Sequence, residues 1–447
     1  MENLDGTIIA TAAPRMAASF HVQPGRLNLV IAAYLLALGI FIPVSGWIAD
    51  RFGARLVFSG AIAVFTLASV LCAQSTSLAE LTATRLLQGI GGALMVPVGR
   101  LVVLRRAEKS DIIRVIAYLT WPALVAPVVA PALGGAIVTY ASWRWIFLVN
   151  VPLGLVALLV ASRVVPDVRA DRPAGLDWQG FLLTGLGLGL IVYGLELIEG
   201  GTVPWALAGA CVGVGSVVIW RAAGHLQRRV HPLLDLAILR IPTFRAASVG
   251  GSLFRLAIGA APFLLPLQFQ DGFGWSPLRS GLLVVSLFVG NIAIKPFTTR
   301  ILRRFGFRAV LGTSAAAAGA TLAACAAFTA HTPLTVIVVV LAASGVFRST
   351  GFTAYNTIVF ADVPPGDMSS ANTLSSTVQQ VTMGVSVTIG ALVLHAGTWL
   401  ERAAGSSGTG SAPFAVAFAV LALVAGSASV EALLLPREAG SSLAASS

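Results

Sequence analysis

Charge is scarce in this chain. Of 447 residues, 29 are Lys or Arg and 18 are Asp or Glu. Lysine is nearly absent, at Lys109 and Lys295 alone, and arginine supplies the rest of the positive charge. Cysteine occurs three times, as Cys72, Cys211 and Cys325, far apart and inside apolar runs. That spacing makes neither a disulfide framework nor a metal cluster, so the three read as small packing residues. The five histidines are scattered. There is no H-E-x-x-H, no G-x-S-x-G and no G-x-x-x-x-G-K-[ST]. A zinc hydrolase, a serine hydrolase and direct use of ATP are therefore not expected, and the chain does not read as an enzyme. No metal and no bound cofactor are expected.

What the chain has in abundance is apolar length. Hydrophobic residues make up 57% and mean hydropathy is +0.88. Fourteen apolar stretches stand out, at 4–20, 27–49, 56–74, 81–103, 115–138, 145–163, 178–198, 203–220, 246–269, 278–298, 308–330, 334–358, 372–395 and 413–434. Most reach the roughly 20 residues that cross a ~30 Å hydrocarbon core as a helix. Barrel strands would alternate and would not give continuous apolar runs. The expected class is an all-α integral membrane protein.

Positive charge follows every second stretch. Arg51 and Arg55 follow the second, and Arg105, Arg106, Lys109 and Arg114 the fourth. Arg163, Arg169 and Arg172 follow the sixth, and Arg221, Arg228, Arg229, Arg240 and Arg245 the eighth. Arg300, Arg303, Arg304 and Arg308 follow the tenth. The intervening loops hold little more than Arg26, Arg144, Arg279 and Arg402. The positive-inside rule puts the arginine-rich loops, and with them the C-terminus, in the cytoplasm. Trp143, Trp145, Trp205, Trp275 and Trp399 fall near outer ends, and Trp47, Trp178 and Trp220 near inner ones, as interfacial belts. The net charge of +11 is thus a topology signal, and no nucleic-acid partner is expected. Arg in place of Lys, with abundant Ala and Gly, fits a GC-rich genome, so a bacterial cytoplasmic (inner) membrane is the expected location.

An internal repeat divides the chain. PVSGWIADRFGAR at 43–55 matches PFTTRILRRFGFR at 296–308 with a constant offset. Pro43 aligns with Pro296, Gly53 with Gly306 and Arg55 with Arg308, while Arg303 stands where Asp50 does. Each copy follows the second stretch of its half. The expected plan is a six-helix bundle over 1–165, a linker with two inserted helices over 166–240, a second six-helix bundle over 241–438 and a disordered tail over 439–447. The first stretch has no upstream half and reads as truncated, with a start upstream of Met1 expected.

Charged residues inside apolar runs need partners or water, because an ionised group at mid-membrane costs roughly 3 kcal/mol even on insertion scales. Asp5 in the first stretch and Arg85 in the fourth lie at compatible depths. They read either as a proton-handling pair facing a cavity or as a static ion pair that fixes packing. Glu2, one turn before Asp5, is a second candidate acid or a solvated one. Gly46 and Gly53 allow a tight turn, and Asp50, Arg51 and Arg55 are placed to form ion pairs at the inner mouth. Pro122, Pro127 and Pro131, with small residues at 126, 130 and 134, predict a bent, closely packed helix. Arg255, Arg348 and Gln379 are candidate lining of a substrate cavity. Lys295 either shares that role or snorkels to the interface. Glu196 reads as interfacial.

GWIADRFGAR at 46–55 resembles the signature loop of the major facilitator superfamily. LDGTIIATAAP at 4–14, LTATRLLQGIGG at 81–92, APVVAPALGG at 126–135 and SWRWIFLVNVPLG at 142–154 resemble motifs of its fourteen-span drug:proton antiporters, the EmrB/QacA type. Alanines stand at 126 and 130, where that family more often has glycine. The resemblance implies the major facilitator fold and export of small amphipathic or toxic molecules in exchange for protons, powered by the proton gradient. It implies that Gly46, Asp50, Arg51, Gly53 and Arg55 latch one conformation. It places a hinge and antiporter motif at Pro127, Pro131, Gly134 and Gly135, and proton coupling at Asp5, Arg85 and Glu2. A dedicated metabolite, siderophore or amino-acid exporter, or a non-transporting member of the fold, stays open. The expected partners are a small-molecule substrate, protons and the lipid bilayer, in a monomer. A periplasmic adaptor is left open.

Overall fold

The computed structural model describes residues 1–22, 27–108, 111–166, 175–199, 204–403, 410–436, 438–440 and 443. Arg26, Lys109, Arg169 and Arg172 lie outside those residues. So do the side chains of Arg106, Pro122, Pro127, Pro131 and Glu196.

Every element longer than a turn is helical among the described residues. The helices are α1 (Glu2–Ser19), α2 (Asn28–Phe41), α3 (Ser45–Phe52), α4 (Ala54–Gln74), α5 (Leu78–Arg106), α6 (Ile112–Tyr140), α7 (Trp145–Leu148) and α8 (Asn150–Val164). They continue as α9 (Trp178–Glu199), α10 (Trp205–Arg228), α11 (Pro242–Leu267), α12 (Pro277–Ala293), α13 (Lys295–Ala326), α14 (Leu334–Ile358), α15 (Met368–Ala403) and α16 (Ala412–Leu433). In a bilayer each backbone N–H and C=O must be satisfied within its own segment, which is why apolar runs of this length become helices. Eleven spans are long and apolar enough to cross a membrane among the described residues. The expected stretches 4–20, 115–138 and 278–298 are not among the eleven. The first coincides with α1, whose 18 residues include Glu2, Asp5 and Arg15. The second coincides with α6, and the third with α12, which is shortened by a break at Ile294.

The internal repeat is visible in the backbone. In the first copy the helix tightens at Ile42–Val44 around Pro43, resumes as α3 and ends at Gly53 with φ 91°. In the second the helix breaks at Ile294, resumes with Pro296 in its first turn and turns at Gly306 with φ 75°. A side chain in that left-handed region is strained, so each copy needs glycine there.

By their contacts the residues form two compact units, one of 1–106, 126–238 and 364–381, the other of 107–125, 239–363 and 382–447. In the first, Ile8, Ile9, Ala12 and Met16 of α1 pack with Cys72, Leu81, Trp143 and Phe147. The helices α9 and α10 also belong here. The α9 helix packs on α2, with Phe181 tilted against Phe41 at 5.9 Å. In the second unit α11, α12, α13, α14 and α16 share a core of small and aromatic side chains around Phe269, Leu287, Leu341 and Phe418. Large apolar side chains such as Leu159, Leu182, Val217, Trp220 and Leu423 stand exposed, as a lipid-facing surface requires. At the C-terminal end Leu443 is buried.

Candidate functional site

Helix α5 positions the site because its glycines let neighbours come close. A Cβ on Gly89 would lie 2.6 Å from the Ala37 side chain and 2.7 Å from the Tyr34 carbonyl of α2. On Gly91 it would lie 2.8 Å from the backbone of Phe65 in α4. The helix is thereby pressed between α2 and α4. Arg85 and Gln88, three residues apart on one face, point into the same interior.

There Arg85 forms an ion pair with Asp5 of α1, and neither side chain has any exposed surface. The same Arg85 Nη1 donates to Gln88 Oε1 at 2.7 Å. Gln88 Nε2 donates to Asp5 Oδ1 at 3.0 Å and to Ser69 Oγ at 2.8 Å. Asn150, the first residue of α8, donates to Asp5 Oδ1 at 2.9 Å. The carboxylate is thus held by one cation and two neutral amides. The guanidinium lies over the Tyr34 ring, 4.1 Å from its centroid, an arrangement that favours a desolvated cation. Its Nε and Nη2 are buried without a hydrogen-bond acceptor among the described residues. A buried pair of this kind costs desolvation and stands only if its remaining bonding capacity is met. On the carboxylate side it is met. On the guanidinium side it is met only in part, because two of its donors have no acceptor among the described residues.

The structure therefore brings Asp5 and Arg85 together, as their depths imply. Glu2 takes no part in the hydrogen bonds of the pair, and its Oε2 is buried without a hydrogen-bond partner among the described residues. Gln88, Ser69, Asn150 and Tyr34 were not foreseen as partners. Gln88 and Asn150 lie inside the quoted motifs, and a polar amide in an apolar run is the signal that could have found them.

The signature loop has a different wiring from the one expected. Asp50 pairs with Arg105 Nη2 at 2.6 Å and accepts from Ser369 Oγ at 2.8 Å. Arg55 Nε donates instead to the Val165 carbonyl at 2.6 Å, and Arg51 is exposed at the end of α3. Arg105, two helices further on, reaches the carboxylate because α3 packs on α5. Gly46 abuts Thr373 and Ser369 of α15, where any larger residue would collide.

Through residues 126–135 α6 runs without a break, from Ile112 to Tyr140. Gly134 is buried, and a Cβ on Gly135 would meet nothing within 4 Å. Of the proposed cavity residues, Arg255 is buried and donates to Asn356 Oδ1 at 3.2 Å. Arg348 Nη1 donates to the Ile258 carbonyl, one turn along α11 from Arg255, at 3.0 Å. Gln379 belongs to the first unit and donates to Ser375 Oγ at 2.9 Å. Lys295 is buried and donates to Thr120 Oγ1 at 3.1 Å and Thr353 Oγ1 at 2.7 Å, so it does not snorkel. Cys72, Cys211 and Cys325 are free thiols.

Outside the spans, Asp177 precedes α9. Burial acts to raise its carboxyl. Hydrogen bonds from His225, the Gly180 N–H and the Leu233 N–H outweigh burial and hold it below the usual carboxylate range.

A chain of many membrane-crossing helices, with a buried carboxylate–guanidinium pair in one unit and a duplicated helix–turn–helix signature, has the build of a secondary transporter. The profile of the Major Facilitator Superfamily matches residues 1–239 and 247–446, and the chain belongs to that superfamily. It is thereby a membrane transporter and not an enzyme. Proteins named multidrug resistance protein MdtD, from Salmonella newport (strain SL254) and Salmonella typhi, are 36% identical to it over 397 residues, 88% of this chain and 84% of theirs. The crystal structure of the human organic anion transporter MFSD10 (TETRAN) shares the fold, with a TM-score of 0.65 at 13% identity over 96% of each chain.

Proposed function

We propose that this protein is a multidrug-efflux transporter of a bacterial cytoplasmic membrane, exporting small amphipathic or toxic molecules in exchange for protons by alternating access. The observation that carries the reading is the buried Asp5–Arg85 pair with its two amide donors. Asp5 carries the proton. Protonation removes the charge that Arg85 neutralises and releases the guanidinium to other acceptors. Deprotonation restores the pair. Each proton entering contributes about 2.3 kcal/mol per 100 mV of membrane potential, enough for one or two to drive substantial efflux.

Likeness to proteins named for multidrug resistance over 88% of the chain favours drug efflux over a dedicated metabolite exporter or a non-transporting member. In this reading α1, α6 and α12 join the eleven spans to make fourteen, and the arginine-rich loops and the C-terminus face the cytoplasm. The Asp50–Arg105–Ser369 link holds one state of the cycle, the α6 proline motif serves as its hinge, and Arg255, Arg348 and Gln379 line the substrate path. The working form is a monomer.

The deciding experiment is substrate-triggered proton movement in everted vesicles, across cationic, neutral and anionic toxins. Proton release by the parent chain that disappears in Asp5→Asn is the expected result. Proton-coupled efflux that survives this substitution would move coupling elsewhere in the chain.

A further inference from the structure

The second unit holds a basic groove whose lining includes neither Asp5 nor Arg85. Its volume is about 1100 Å³, above the roughly 300–1,000 Å³ of an ordinary small-molecule pocket. The first turns of α6 give one wall, with Arg114 and Tyr118 on one face. The end of α12 and the start of α13 give the other, with Arg300, Arg303 and Arg304 repeating along the helix and Lys295 lining the interior. None of the described lining residues is acidic.

Two further features narrow the occupant. Lys295 is 8% exposed, and its hydrogen-bond partners Thr120 and Thr353 are neutral hydroxyls. Two of its three ammonium protons go to Thr120 and Thr353, which leaves one for the groove. A buried cation without a counter-charge is costly unless an anion joins it. The rim is apolar as well as basic, since Tyr118 and Phe297 are 70% and 54% exposed beside the arginines. A groove with cations inside, apolar lips and walls made of membrane helices fits a molecule with an anionic head and apolar tails.

We propose that this groove binds the phosphate head group of an anionic phospholipid. The lipid belongs to the leaflet on the arginine-rich side, with its phosphate against Lys295 and Arg300 and its acyl chains past Phe297 and Tyr118. Basic pockets between membrane helices on the cytoplasmic side are suited to such head groups, with each cation contributing to affinity. The inference goes beyond the transport reading and does not depend on the proton site.

The test uses the full chain purified in detergent, with phosphatidylglycerol, cardiolipin and phosphatidylcholine offered in equal amounts and bound lipid counted by native mass spectrometry. The anionic lipids are expected to be retained roughly tenfold over phosphatidylcholine, with that preference lost in Arg300→Gln/Arg304→Gln and kept in Arg300→Lys/Arg304→Lys. Arg114→Gln, on a different helix, is expected to weaken the same preference, which separates lost binding from a misfolded α13. Equal retention of the three lipids would overturn the proposal, as would unchanged preference in the Gln variants. Displacement of the anionic lipid by millimolar inorganic phosphate would assign the groove to a free anion instead of a lipid.

Discussion

Asp5 and Arg85 are separated by 80 positions in sequence, and they meet in an ion pair with no exposed surface on either side chain. Removing one partner strands the other. Asp5→Ala is expected to destabilise the protein by about 3–5 kcal/mol, and the double variant Asp5→Ala/Arg85→Ala by clearly less than the sum of the two single changes. Thermal unfolding in detergent of the four proteins measures this coupling. Additive losses would mean that the pair contributes no interaction of its own.

The neutral donors are a separate test of the site. Gln88 and Asn150 both give hydrogen bonds to Asp5 Oδ1, so Asn150→Leu leaves the carboxylate short of one donor. A cost of about 1–3 kcal/mol in stability is expected. The proton-to-substrate ratio in everted vesicles is expected to fall while substrate binding is kept. Loss of substrate binding with an intact proton ratio would place Asn150 in the substrate path instead.

How far the sequence announces this arrangement depends on the cost of each residue in lipid. Asp5 and Arg85 are conspicuous because an unpaired charge in an apolar helix is expensive, and two such charges at matching depth demand each other. Gln88, Ser69 and Asn150 are inconspicuous because neutral polar groups are tolerated in membrane helices through many local bonds. Asp50 stands out in the sequence as the acid of the repeated loop, but its pairing with Arg105 in place of the nearer Arg51 and Arg55 follows from the packing of α3 on α5, which no local pattern encodes. Hydropathy likewise located the helices but not the break at Ile294, which cuts the tenth expected stretch in two.

Asp177 gives a pH signature outside the membrane spans. Its carboxyl is held below the usual range, so its ionised form stabilises the fold above that range, and the contribution is lost as pH falls through its folded value. Asp177→Asn is expected to melt below the parent at pH 7, with the gap closing as the pH falls through about 4 and below. A gap that stays constant from pH 7 to that limit would show that the His225 contact is not carried by charge.

The signature loop tests as a latch. Asp50 Oδ1 and Oδ2 take Arg105 and Ser369, and a hydrogen bond to a charged group is worth about 1.5–3 kcal/mol. Loss of one such bond shifts a two-state equilibrium by about tenfold or more. Labelling of Ser370→Cys, which leaves the Ser369 hydroxyl in place, by a membrane-impermeant thiol reagent in everted vesicles is therefore expected to rise in the Asp50→Asn background. Unchanged labelling would mean that the contact is passive.

Gly53 and Gly306 separate backbone strain from latch chemistry. Both adopt positive φ, at 91° and 75°, and a Cβ on Gly306 would meet nothing within 4 Å. Alanine at either site is thus expected to cost about 1–2 kcal/mol through conformation alone. The functional consequences should diverge, because Asp50 has its acid three residues before Gly53 while Arg303 occupies the matching position before Gly306. Gly53→Ala moves the end of α3 and disturbs the Asp50–Arg105 bond, so transport falls further than stability accounts for. Gly306→Ala lowers stability by a similar amount with transport per folded molecule preserved. Efflux assays normalised to folded protein, run on both variants, decide it: equal transport losses would mean that both copies of the repeat still act as latches, whatever charge they carry.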